Sequence, residues 1–488
     1  MMIVAIPGRE KERMPKWKSE VIETLMRYSG KVQMLVIDAP ELRQSLQSKI
    51  EQRVVGKTEM VEPNLTAKYV TESDCSGCTI VNLTTVKAEE IILRCKAKNV
   101  LEFQYGGRNL ASLCSIGEYE VAYNAPSVDV SLICLEDTGN MKVLAYDRLK
   151  RDFSAVRMLQ NAQNDCKILL SHYLSGVQYP VEIQPCTKLT GRVKYLMKFY
   201  SSVAGRLTER IKAKLVGSHG EHWTVGLGNA PFLKSDYSSL VTISIPNNEF
   251  WADPFLFSHD GHLYLFVERY PFDTCKGVIS CGEIVENRVE NMHDVLVRPY
   301  HLSYPNIVEE DGEIYMIPEC SENRCIEVWK AVDFPNRWEL YSSAFHGKSM
   351  ADTVYYRDEN GKRWLFSSEA DFSQQEHCYK LSLYKIDSLK MTKVEELPMS
   401  PIVLDCSCAR NGGRIFEQDG HIYRTAQDNR YGEYGHGVAI LEIVKLTDTK
   451  YEERVVKRLD HPVCNGMLGT HHMTESAGRY VIDICTRR

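Results

Sequence analysis

The 488-residue chain has no excess of positive charge: 59 Lys and Arg stand against 65 Asp and Glu, a formal charge of −6. That balance excludes a nucleic-acid binder acting through its whole surface. There is also no run of about 18 uncharged apolar residues, the length a membrane-crossing helix needs. The opening stretch Met1 to Glu10 is too briefly apolar for a secretion signal. The expected compartment is therefore the cytoplasm. The hydrophobic fraction, 43%, is ordinary for soluble domains, and the length suffices for two or three of them.

Other absences narrow the chemistry. After the first apolar strand, Pro7-Gly8-Arg9-Glu10 supplies one glycine where a dinucleotide-binding turn uses three, so NAD is not expected. The sixteen cysteines are scattered, several within apolar runs, as Cys134 is among Val130, Leu132, Ile133 and Leu135. They read as buried free thiols of a reducing compartment. Cys75-x-x-Cys78 has no second pair to complete a zinc site, so no metal is expected, and no motif names a cofactor.

What is present divides the chain near its middle. In residues 1–185, Met2 to Ile6, Val32 to Ile37, Thr79 to Leu83, Asn99 to Phe103 and Asp129 to Leu135 read as strands. Trp17, Val21 and Leu25, with Ile22 and Met26 beside them, make one apolar helix stripe behind Pro15. Strand, helix, strand in that order predicts an α/β domain with a parallel sheet. Residues 186–219 follow as a linker. Within 186–216, eight basic residues (Lys188, Arg192, Lys194, Lys198, Arg206, Arg210, Lys212, Lys214) face one acid, Glu209. Leu196, Tyr200, Val203, Leu207, Ile211 and Leu215 fall at spacings of three and four, which predicts a basic amphipathic helix. It would lie either on an anionic membrane surface or against a neighbouring domain with its cationic face solvated.

From residue 220 to 488 the sequence repeats. Trp251-Ala252-Asp253-Pro254-Phe255 is followed by Asp260-Gly261 and an aromatic strand, and the phrase returns with Asp311-Gly312, Asn360-Gly361, Asp419-Gly420 and Ala477-Gly478. Such dipeptides supply the positive φ angles of tight hairpins. The turns lie 51, 49, 59 and 58 residues apart, close to the length of a four-stranded propeller blade with some longer loops. The fifth copy has room for two strands only. Trp223 to Leu227 and Val241 to Ile245, ahead of the first copy, are the strands expected to complete it and close the ring. The fold class expected is thus multidomain, an α/β parallel-sheet domain followed by an all-β five-bladed propeller.

A propeller's innermost strands line one channel, so residues early in each blade share a volume. Asp253 and Asp352 occupy equivalent early positions, and two carboxylates set to different pKa values are the apparatus of sugar chemistry. Glu268, Glu319, Glu369 and Gln427, with Asp428 beside the last, recur seven or eight residues after a turn glycine. They form either a ring of acidic groups or strand-end carboxylates paired with Arg324, Arg414 and Arg430. Of the late histidines His421, His436, His471 and His472, alternation along a strand would let at most one of His471 and His472 reach the channel.

The phrases Trp251-Ala252-Asp253-Pro254-Phe255, His301-Leu302-Ser303-Tyr304-Pro305, Glu313-Ile314-Tyr315-Met316-Ile317-Pro318-Glu319 and Tyr423-Arg424-Thr425-Ala426-Gln427-Asp428 resemble the propeller at the N-terminus of plant glucosamine inositolphosphorylceramide transferases. That module is similar in turn to the arabinanase, xylosidase and invertase clan. Asn99-Val100-Leu101-Glu102-Phe103-Gln104-Tyr105-Gly106-Gly107 and the strand order resemble a formyltransferase-like domain. The Asn, His and Asp set that this resemblance implies is not matched, His172 being the only histidine before residue 200. The furanosidase resemblance implies a general base at Asp253 and a pKa-setting aspartate at Asp352. Where it implies an acid glutamate, the chain has Ala409-Arg410-Asn411-Gly412-Gly413-Arg414, and no Asp-x-Asp motif signals a metal-bound nucleotide. These features imply an enzyme of glycan or glycolipid assembly, a transferase, with Asp253, Asp352 and Glu319 catalytic and Glu268, Glu369, Arg414, Gln427, Asp428 and His471 binding a sugar or sugar phosphate. Arginine in place of the acid favours an anionic ligand. A furanosidase-type hydrolase with a displaced acid, Glu319 or Glu369, and a non-catalytic glycan-binding scaffold are the alternatives.

Overall fold

The structure, a computed structural model, describes residues 2–63, 68–177, 191–216, 221–229, 232–235, 237, 240–370, 377, 380–432, 434–460 and 466–487. The chain divides into two compact units, Met1–Thr208 and Glu209–Arg488.

In the first unit, Met2–Pro7 lies mid-sheet, parallel to Gln33–Ile37 on one side and Thr79–Asn82 on the other. Lys68–Val70 and Asn99–Tyr105 extend the parallel order outward. The crossover helix Lys16–Ser29 buries Trp17, Val21, Ile22 and Leu25 and ends at Gly30, whose N–H bonds the Met26 carbonyl at 2.8 Å. The sheet is not parallel throughout. Ser127–Glu136 runs antiparallel to Asn99–Tyr105, and Met141–Lys150 pairs antiparallel with it, because a four-residue connection can only fold the chain back on itself. His172 is buried in the helix Ala155–Leu174. Ten of the thirteen described cysteines are buried and all thirteen are free. Burial, with Cys95 and Cys78 nearby, pushes the Cys75 thiol up to about 12, which disfavours the thiolate.

The basic segment forms the helix Arg192–Val216. Among its described side chains, those it buries are not those of the expected stripe; the side chains of Ile211 and Leu215 lie outside the described ones. Tyr195 and Phe199 go inside, the Tyr195 hydroxyl accepting the Ala155 N–H at 2.9 Å and Phe199 stacking on Phe153 at 5.9 Å. Aromatic area decides which face docks. Val193, Met197, Tyr200 and Leu207 remain 49–74% exposed. Lys188 lies outside the described residues.

The second unit is a ring of five four-stranded sheets. Blades one to four run outward from Glu249–His259, Ser303–Glu310, Ser349–Arg357 and Asn411–Gln418. The fifth is composite: Met473–Ser476 innermost, then Arg479–Arg487, Glu221–Asn229 and Val241–Thr242. Nine register pairs, Glu221↔Arg487 to Asn229↔Arg479, join the two ends of the unit, as the strand count anticipates. Asp260-Gly261, Asp311-Gly312, Asp419-Gly420 and Ala477-Gly478 all have positive φ at both residues, the tight hairpin expected. Asn360-Gly361 departs from it. There Arg357 pairs with Arg363 across a five-residue loop, whose Asn360 and Lys362 N–H groups bond Asp358 Oδ1.

A second repeated feature positions the site. Each of the first four innermost strands carries a bulge early in its course, at Ala252/Phe255, Ser303/Asn306, Ala351/Val354 and Asn411/Ile415. The bulged residues Asp253, Tyr304 and Asp352 share φ of 47–49°. Left-handed backbone at non-glycine residues costs stability and re-aims the side chain. In blade four the position is glycine: a Cβ on Gly413 would lie 2.0 Å from the Met473 carbonyl oxygen.

Candidate functional site

The bulges turn Asp253 and Asp352 into the axis, where both are buried. Asp253 accepts the Tyr304 N–H at 3.1 Å through Oδ2. Its Oδ1 lies 3.1 Å from His471 Nε2 and 3.4 Å from His472 Nδ1. His471 Nδ1 is 2.8 Å from Asp483 Oδ2, so one imidazole joins two buried carboxylates. Burial opposes charge on Asp253, but the bond and charge of His471, with His472 and Arg410, hold it well below the usual carboxylate range. Burial also opposes charge on His471, and Asp483 and Asp253 override it, lifting the imidazole to about 10. His472 is kept low by burial and packs edge-on against Phe255.

Both histidines therefore face Asp253, contrary to the strand alternation expected of them. Residues 470–472 are not pleated strand: the Thr470 hydroxyl and the His471 and His472 N–H groups all converge on Asp483 Oδ1, at 2.8–3.2 Å. A carboxylate that gathers three donors wraps the backbone around itself, which defeats the period of two.

Asp352 Oδ2 accepts Arg410 Nε at 2.5 Å and Gln427 Nε2 at 2.9 Å. Arg410 also lies 3.6 Å from Glu319 Oε2, and its guanidinium sits 5.6 Å from the Tyr434 ring centre. Burial raises the Asp352 carboxyl to about 7; Arg410 opposes the rise and Glu319 adds to it. Glu268 pairs with His301 at 3.3 Å and is raised by burial, while His301 Nδ1 accepts the Gly277 N–H.

The structure thus gathers these candidates in two clusters, Asp253 with His471 and Asp352 with Glu319 and Gln427, which meet at Tyr434: its ring centre lies 4.8 Å from that of His471 and 5.6 Å from the Arg410 guanidinium. Glu268 feels the charge of Asp253. Three further sequence candidates lie elsewhere. Glu369 bonds Lys348 and the Tyr384 hydroxyl, both at 3.2 Å. Asp428 is enclosed by Arg430 and Arg458 at 2.5 and 2.9 Å. Arg414 donates to the Leu256 carbonyl at 2.6 Å, and burial lowers its pKa to about 10. The cation on Asp352 is Arg410, four residues earlier. The sequence offered both arginines, but only the bulge geometry separates them. Asp483 carried no repeat signal, since it lies in the composite blade. A buried carboxylate raised to about 7 and a second one held ionised offer a proton carrier and a fixed negative charge among these residues. Asp253, His471 and Asp483 also form a cluster of metal-ligating atoms, although the proton expected on His471 competes with any cation there.

The class so defined is a five-bladed propeller with an axial, carboxylate-rich site. Its relatives are particular: residues 223–465 match the family described as Glucosamine inositolphosphorylceramide transferase 1, N-terminal. The protein named Glucosamine inositolphosphorylceramide transferase 1 from Oryza sativa subsp. japonica is 32% identical over 212 residues, 43% of this chain and 28% of that protein. Its namesake from Arabidopsis thaliana is 32% identical over 222 residues, 44% of this chain and 28% of that protein. The propeller resembles the N-terminal module of these transferases, and the chain matches less than a third of their length. Among solved structures, RS223 β-xylosidase covers 49% of this chain and 92% of its own at 12% identity and a TM-score of 0.35.

Proposed function

We propose that the propeller holds a sugar on its axis and that the protein serves glycan or glycolipid assembly as a transferase. The observation that carries this reading is the meeting of two charged clusters, Asp253 with His471 and Asp352 with Arg410 and Glu319, at the Tyr434 ring, within the segment similar to the plant transferases. Asp253, ionised, accepts hydroxyl hydrogens of the acceptor. Asp352, its pKa raised to about 7, exchanges a proton with it, and Arg410, paired with Asp352 and Glu319, orients that carboxyl. Calorimetric titration with neutral, acidic and phosphorylated sugars should give saturable binding of at least one that Asp253→Asn and Arg410→Gln each weaken at least tenfold. Binding unchanged in both variants overturns the reading.

A second reading, hydrolysis, is supported by the contact of Asp352 with Arg410 beside Glu319 together with its carboxyl raised to about 7, which suits a proton donor. Release of reducing sugar from arabinan- or fructan-type substrates, lost in Asp352→Asn, would favour it over transfer. We also propose that the helix Arg192–Val216 meets an anionic membrane surface. Its exposed Val193, Met197 and Leu207 are flanked by basic residues, and among the described residues no helix is long and apolar enough to cross a membrane. Sedimentation with phosphatidylserine vesicles, reduced by Met197→Glu, supports this; sedimentation unaffected by that change excludes it.

A further inference from the structure

The first unit holds a cavity of about 560 Å³ walled by Arg43, Arg108, Arg192, Ser112, Ser115 and Tyr105, among others. It lies where the strands Gln33–Ile37 and Asn99–Tyr105 release their following loops, which bring Arg43 and Arg108. The carboxyl ends of parallel strands, on either side of the point where the strand order reverses, form the natural crevice of an open α/β sheet. Its charge is unbalanced. Three guanidiniums face one carboxylate, Glu118, which accepts the Ser115 hydroxyl at 2.9 Å. Among the described residues no acid pairs with Arg43, Arg108 or Arg192. At the propeller axis, by contrast, Arg410 is matched by Asp352 and Glu319.

The wall is built rather than loose. Gly106 and Gly107, with φ of 56° and 72°, turn the chain so that Arg108 pairs back on Tyr105. The next residue, Asn109, donates to Glu102 Oε2 at 2.9 Å and the Thr84 carbonyl at 3.0 Å, and its Oδ1 accepts the Ala111 N–H at 2.8 Å. Glu102 is itself buried and also receives Asn82 and Gln104, both at 2.8 Å. A saturated buried network under the loop fixes the backbone that carries Arg108. A second cavity of about 260 Å³ shares Tyr105, Gly106 and Tyr119 and continues with Pro126, Ile133, Met141 and Val143; its two acids are already engaged, Glu120 by the Tyr105 hydroxyl and Asp129 by Arg148.

We propose that this unit binds a diphosphate-bearing small molecule of the nucleoside diphosphate class, its phosphates among Arg43, Arg108 and Arg192 and its base toward the apolar cavity. Guanidinium forks match phosphate oxygens two at a time, and several uncompensated arginines on one wall select a multiply charged anion. The volume suits a nucleotide-sized ligand. The proposal is independent of what the propeller does.

Titration calorimetry of the full chain at low salt, with UDP, ADP and inorganic pyrophosphate as probes, tests it. Saturable binding of at least one nucleoside diphosphate is expected, weakened about tenfold by Arg108→Ala and further in the Arg43→Ala/Arg108→Ala double variant. These side chains are exposed, so the variants should keep the wild-type circular dichroism and unfolding temperature. UDP or ADP binding more tightly than pyrophosphate supports a base in the apolar cavity. Equal affinity for pyrophosphate overturns that part and retains the phosphate site. No saturable heat with any probe on the wild-type chain, or affinity unchanged in the double variant, overturns the whole.

Discussion

At the propeller axis, Asp352 is 2% exposed and its carboxylate is met by Arg410 and Gln427, whereas at the carboxyl edge of the N-terminal sheet Arg43, Arg108 and Arg192 are exposed and face a single acid. The first arrangement had to be solved internally, because burying an ion without a partner costs several kcal/mol. The second is tolerable because water solvates its cations until a ligand replaces it. Paired buried charges thus couple the axial site to the stability of the propeller, and the arginine-lined cavity can change with little effect on folding.

That contrast can be broken in several ways, beginning with ring closure. Truncation after Ser476 removes Arg479–Arg487, the strand pairing both Met473–Ser476 and Glu221–Asn229, and should abolish cooperative unfolding of the propeller in calorimetry. Survival of that transition would show that closure is not required. Next, Arg410→Ala leaves Asp352 and Glu319 without their cation and should cost about 3–5 kcal/mol in denaturant unfolding.

A pH measurement sharpens the same point. The His471 pKa rises from 6.5 to about 10 on folding, so its contribution to stability is complete below the unfolded value and is lost as pH climbs through about 10. The difference in unfolding temperature between wild type and His471→Gln should therefore be largest near pH 6.5 and shrink toward pH 10. A constant difference would mean that His471 is not held charged. The smallest effect is expected at the other site: Arg108→Ala should shift stability by no more than about 0.5 kcal/mol.

The propeller was legible because its signals are local and repeated. Asp260-Gly261 and Asp311-Gly312 set hairpins by backbone preference alone, and five such copies with one incomplete imply a ring closed by strands from both ends. Asn360-Gly361 misled for a local reason as well: Asp358 captures two N–H groups and makes a longer loop. The basic helix was visible as a helix, but among its described side chains Tyr195 and Phe199 are the buried ones, while Leu196 and Val203 of the aliphatic stripe are only half-buried.

The candidate site was legible only in part. Asp253 and Asp352 could be read as axial because they open equivalent repeats. That His471 and His472 both face Asp253, that Arg410 and not Arg414 meets Asp352, and that Asp483 anchors the set depend on contacts between residues up to 219 positions apart. The sequence by itself determined the repeat, four of its five tight turns and the residue types available, all of which follow from short-range backbone chemistry and apolar period. Tertiary structure decided which charges meet and which proton each carries, because ion pairing and desolvation are fixed by distance in space and by exclusion of water.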